Sequence, residues 1–217
     1  MEVLTGVKKM IIFVSIVAFA ALFYIGVRLY QFDNSPFAKE YGYSFFQTVS
    51  NSKIHAFKIL YDQLAHTNND AKVLFNVQID EATNRNFADA VVVHPAGIFV
   101  VLLQSKKGWI SGTEKSYEWV EQLHGGKVNA FPNPIHLTER MAFTISDLLP
   151  TIEKKQIESV IFFSNDCSFQ KIEISSDTVE VLKYSEMKSW VNSLAGQIIP
   201  DEQISSIYIS LKKYSKK

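Results

Sequence analysis

Eighteen consecutive residues, 10–27 (MIIFVSIVAFAALFYIGV), carry no charge. A helix over such a run rises about 1.5 Å per residue, so it reaches roughly 27 Å, close to the hydrocarbon thickness of a bilayer. Leu29 and Tyr30 prolong the apolar surface, Arg28 is placed to snorkel, and Tyr24 and Tyr30 suit an interfacial aromatic belt. The run reads as one transmembrane helix over 10–30, behind a short tail at 1–9, and thus as a contact with the lipid bilayer through 10–30. Two alternatives account for it less well. Ala18, Phe19 and Ala20 resemble a signal-peptide cleavage site, but cleavage there leaves a greasy new N-terminus. A core helix is seldom apolar on every side. The expectation is a single-pass protein of the cell membrane. Lys8 and Lys9 on one flank balance Arg28 and Lys39 on the other, so the positive-inside count leaves the side of the globular part undecided.

The remainder is long enough for one domain, expected over 45–217 after a polar and aromatic linker at 31–44. Hydrophobic residues make up 47 % of the chain, with 16 Phe, 9 Tyr and 3 Trp, which is ample material for a core. From Gln31 onward 19 basic residues face 21 acidic ones, a net charge of −2. Duplex-binding domains carry a basic excess, so the balance speaks against tight nucleic-acid binding. The lone Cys167 forms no internal disulfide and has no zinc-type companions; it reads as an unpaired thiol at the end of a strand.

Periodicity sketches the elements. Helical spacing covers 51–64, with Ser50 or Asn51 as its cap, and residues 72–79 alternate as a strand. Strands follow at 90–93 and 98–103, separated by the His94-Pro95-Ala96-Gly97 turn; the second is apolar on both faces and so belongs at the centre of a sheet. A hairpin at Gly125-Gly126 joins 118–124 to 127–131, Pro134 opens a helix ending near Leu149, and strands at 159–163 and 178–182 precede helices at 186–194 and 202–211. This is an α/β fold with a mixed central sheet.

The run DAVVVHPAGIFVV at 89–101, KGWISG at 107–112, Trp119, Asn133-Pro134 before a helix, and VIFFS at 160–164 together resemble the nuclease-related domain (NERD) family over about 45–165. The resemblance implies a restriction-endonuclease-like, PD-(D/E)XK fold with helices flanking the sheet, followed by a C-terminal α/β extension. It also implies phosphodiester hydrolysis with Mg²⁺ held by an Asp and a Glu, assisted by a Lys two residues past the Glu. Asp89 stands at the Asp position. The Glu position holds Leu102 and the Lys position holds Gln104, with Gly97 and Gly108 keeping the spacing on either side. His55-Ala56 replaces a Gly-Glu pair, and Leu137 replaces a Gln after Asn133-Pro134.

A single carboxylate is a poor Mg²⁺ site, and an aliphatic side chain in place of the second one removes charge and coordination together. Asp89 is therefore a vestigial candidate, catalytic or metal-binding, and no cofactor is expected. A slipped Gln104-Ser105-Lys106 is a weak substitute, with Lys106 and Lys107 expected as solvated turn lysines. Asp80, Glu81, Glu114 and Glu118 are stand-in acids expected on exposed turns or strand ends, and His55 is expected at the surface. The leading expectation is a membrane-anchored pseudoenzyme that binds or scaffolds a protein partner or DNA. A metal-dependent tethered nuclease with a rearranged site, and a structural component of an envelope or DNA-transfer complex, are the alternatives.

Overall fold

The structure, a computed structural model, describes residues 2–67, 71–79 and 86–216, of which 2–9 are described by backbone alone. It divides into two compact units, residues 1–51 and 52–217.

In the first unit the apolar run lies inside one helix, α1 (Glu2–Asp33). Its stretch Met10–Asp33 is long and apolar enough to cross a membrane, and its most apolar part is exposed, with Phe32 the buried exception near its end. The expected tail at 1–9 is helical from Glu2, and the expected linker is structured as well. Ser35 accepts a hydrogen bond from the Ala38 N–H and starts α2 (Pro36–Tyr41), which Gly42 ends in the left-handed region. Ser44 and Gln47 form a reciprocal capping box on α3 (Phe45–Ser50). Local capping chemistry thus makes helices where hydropathy suggested a spacer.

The second unit begins with α4 (Ser52–His66), which starts directly behind Asn51, one of the two expected caps. Then come β1 (Lys72–Gln78), β2 (Phe87–His94), β3 (Gly97–Gln104), β4 (Gly108–Thr113), β5 (Glu118–Gln122) and β6 (Val128–Pro132). Helix α5 (Pro134–Leu148) is followed by β7 (Ile157–Phe163), β8 (Cys167–Glu173), β9 (Val179–Lys183), α6 (Met187–Ser193) and α7 (Asp201–Lys212).

The strands form two mixed sheets where one was expected. Five strands run in the order β1-β2-β3-β7-β9, and four in the order β6-β5-β4-β8. Strand β3 lies at the centre of the first sheet, antiparallel to β2 and parallel to β7, as its doubly apolar sequence requires. The expected extension past residue 165 is integral: β8 joins the second sheet and β9 the first.

Two apolar clusters hold this arrangement together. One packs α5 and α7 against the first sheet through Val91, Val100, Met141, Ile145, Ile204 and Leu211. The other joins the sheets through Leu102, Ile110, Trp119, Ile135, Ile161 and Phe163. The Trp119 indole stacks on Phe163 at 5.9 Å and donates to the Thr113 carbonyl at 3.0 Å. A Cβ on Gly112 would come within 2.3 Å of that indole, so no larger residue fits there.

Candidate functional site

Asp89 on β2 is 3 % exposed. Its Oδ2 accepts the Leu103 N–H at 2.6 Å, and its Oδ1 lies 2.5 Å from the Lys53 ammonium. Lys53 comes from the first turn of α4, and its Nζ also lies over the rings of Phe57 and Phe87, at 5.4 and 5.0 Å. Phe57 in turn stacks on Phe75 of β1 at 4.3 Å, which fixes the helix against the sheet. Burial pushes the Asp89 carboxyl above its ordinary range, and the Lys53 charge and the Leu103 N–H pull it back only in part.

Leu102, at the position where the resemblance expects the second acid, is 5 % exposed and belongs to the cluster that joins the two sheets. Gln104 is half-buried at the end of β3, where its carbonyl accepts the Ser164 N–H at 2.8 Å. The structure separates Lys106 from Asp89 and corrects its expected solvation. Its Nζ lies over the Phe131 ring at 4.1 Å and 4.0 Å from Glu121 Oε2, and its side chain is only 24 % exposed. The physical reason is that its aliphatic stem covers apolar surface at the rim of the second sheet. Lys107 is exposed, as expected.

Neither Glu114 nor Glu118, the two stand-in acids among the described residues, is a partner of Asp89. Glu114 accepts the Ser175 N–H at 2.7 Å, the Ser175 hydroxyl at 2.8 Å and the Ser176 N–H at 3.0 Å, and these bonds hold its carboxyl below the usual range. Glu118 is exposed at the start of β5, and Asp80 and Glu81 lie outside the described residues. Among the described residues no three of His, Cys, Asp and Glu converge as a metal site. His55 is exposed on α4. His94 is buried, and its Nδ1 accepts the Ala96 N–H at 3.0 Å inside the β2–β3 turn.

Several residues of this corner carried no signal in the sequence. Lys53 is one. Tyr184, in the turn after β9, is another: burial drives its phenol upward, and the nearby Asp89 and Cys167 add to the rise. The Tyr184 hydroxyl closes no hydrogen bond of good geometry, although the Ser105 side chain lies close enough to temper that rise. Cys167 is buried at the start of β8; its thiol donates to the Ser164 carbonyl at 3.4 Å, and the Lys183 ammonium lies 2.9 Å from its sulfur.

A hard divalent cation takes several oxygen donors. Here one Asp89 oxygen faces an ammonium, the other a backbone N–H, and the second acid's place is aliphatic. These residues do not fit Mg²⁺. The other motif residues are architectural. Asn133 caps α5 through the Ile135 N–H, while its Nδ2 donates to the carbonyls of Glu114 and Ser116 at 2.9 and 2.7 Å. That is why Asn precedes Pro there: one side chain starts the helix and ties down the 113–116 turn.

The nuclease-related domain (NERD) model matches residues 53–164. The uncharacterised protein pXO1-01 of Bacillus anthracis is 27 % identical over 141 residues, which are 63 % of this chain and 63 % of that protein. The chain thus spans less than two thirds of the length of that relative. No solved structure matches it.

Proposed function

This chain belongs to the nuclease-related domain family, whose fold is restriction-endonuclease-like, and from that premise we propose that it is a membrane-anchored, catalytically inactive member that acts by binding. The observation that carries the proposal is the Lys53–Asp89 pair, 2.5 Å apart, beside the aliphatic Leu102. A protein cation takes the place that a metal would need on the one remaining acid. A pair of this kind, with the acid buried, is held by the fold and engages both carboxylate oxygens, one with an ammonium and one with a backbone N–H. The anchor is the α1 segment Met10–Asp33, which keeps the domain at a lipid surface. The family's motif residues that persist, Gly112, Trp119 and Asn133, maintain shape, so the fold survives as a binding scaffold.

The test is a nuclease assay on the full chain in detergent with Mg²⁺ or Mn²⁺, beside the Asp89→Ala variant. The expected result is no phosphodiester cleavage by either protein. Cleavage by the wild type that Asp89→Ala abolishes would restore the reading of a rearranged, working nuclease. The choice between DNA and a protein as the bound partner rests on salt. DNA binding weakens steeply as salt rises, and a net charge of −2 beyond the anchor favours a protein.

A further inference from the structure

Residues 30–51 hold seven aromatic rings and three charged side chains, an unusual composition for a spacer in water. The structure orders most of those rings around the end of α1. Phe32, in the last turn of α1 and 7 % exposed, meets Phe37 at 6.4 Å and Phe45 at 5.7 Å, both edge to face. Phe37 is fully buried against Tyr41 and Tyr43. Helices α2 and α3 therefore fold back onto the end of the span.

The outward side of α3 carries large apolar residues beside Gln47 and Ser50, whereas α2 exposes Lys39 and Glu40. Phe46 and Val49, one turn apart on α3, are 66 % and 68 % exposed, and Tyr30 on α1 is 72 % exposed. Phe46 touches Phe45 at 5.7 Å, and Phe45 touches Phe32, so Phe46 lies two ring contacts from the membrane-spanning helix. The exposed apolar residues of α3 thus sit beside the end of α1. Aromatic rings near a span, with Arg28 and Lys39 exposed alongside, belong at the boundary between headgroups and acyl chains.

We propose that α2 and α3 form a collar seated in the bilayer interface, with Phe46 and Val49 inserted among the lipids. This rests on the reading of α1 as a membrane anchor. Such a collar fixes the height at which the chain leaves the membrane, where a bare linker would let it wander.

The experiment labels single cysteines with a nitroxide in the full chain, reconstituted in nanodiscs of phosphatidylcholine with a minor share of phosphatidylglycerol. The variants are Phe46→Cys, Val49→Cys, Phe19→Cys within the span, and Tyr117→Cys, which is 89 % exposed in the second unit. The native Cys167 is buried and the unlabelled-site wild type serves as its control. The expected result is a severalfold excess of collisions with dissolved oxygen over a water-soluble nickel complex at 46 and 49, a larger excess at 19, and the reverse at 117. If 46 and 49 behave like 117 while 19 stays deep, the collar is wrong and the anchor stands. If 19 also behaves like 117, the anchor reading fails and the collar fails with it.

Discussion

Asp89 and Glu121 are both buried acids, and each accepts one backbone N–H, from Leu103 at 2.6 Å and from Lys107 at 2.8 Å. Each also has a lysine nearby. Lys53 closes on Asp89 at 2.5 Å from a separate helix, whereas Lys106 stands 4.0 Å from Glu121 and spends itself over Phe131. Asn129 adds a long bond to Glu121 at 3.4 Å. Asp89 is the one that the family resemblance assigns to the metal position, and it is the more tightly tied of the two. The difference teaches that an acid surviving in a catalytic slot says little by itself. The groups around it decide between chemistry and structure, and here an ammonium and a backbone N–H engage both of its oxygens.

The comparison breaks most visibly at Leu102. Leu102→Glu puts a carboxylate into an apolar cluster and is expected to cost about 3–5 kcal/mol in urea unfolding of the full chain in detergent. If that variant, combined with Gln104→Lys, instead gains Mg²⁺-dependent cleavage, Asp89 is still available for catalysis and the contrast with Glu121 collapses. Lys53→Met comes next. It strands Asp89 without its cation, and because the ammonium is partly solvated the expected loss is about 2–4 kcal/mol. Lys106→Met should cost under about 1 kcal/mol, since its pair is loose and its stem can be replaced. Equal losses for the two lysine variants would erase the distinction. The smallest expected effect is a slope. The folded state raises the Asp89 carboxyl, so its contribution is full below the unfolded value and is lost as pH rises through the folded one. The stability of the wild type relative to Asp89→Asn should therefore fall from acid towards neutral pH, as unfolding midpoints across that range will show.

Much of the candidate site was legible because a strand writes its register locally. The two apolar runs within 89–104, with Gly97 and Gly108 as fixed marks, were enough to place Asp89, Leu102 and Gln104 on adjacent strands. Lys53 was not legible, because its partnership with Asp89 arises only when α4 packs on the sheet through Phe57 and Phe75. Strand β8 escaped for a different reason. It lies at the edge of its sheet, and its apolar residues Cys167, Phe169 and Ile172 fall out of step where the pairing with β4 shifts register, so no unbroken alternation announces it. The second sheet went unseen with it. Lys106 was misjudged because its charge is evident in the sequence and its stem's packing partner is not.

Strand β1 is the other edge of the five-stranded sheet, and residues 214–216 lie along it. The Gln78 N–H donates to the Tyr214 carbonyl at 2.9 Å, the Ser215 hydroxyl to the Phe75 carbonyl at 2.8 Å, and the Lys216 N–H to the Asn76 carbonyl at 3.1 Å. Asn76 adopts a positive φ of 50° at this seam. Three residues thus act as a selvedge on a border that would otherwise be open to a neighbouring molecule's strand. A fusion or purification handle attached there would tug at that hem, so reporters for this protein belong at solvent-facing turns such as Gly125-Gly126.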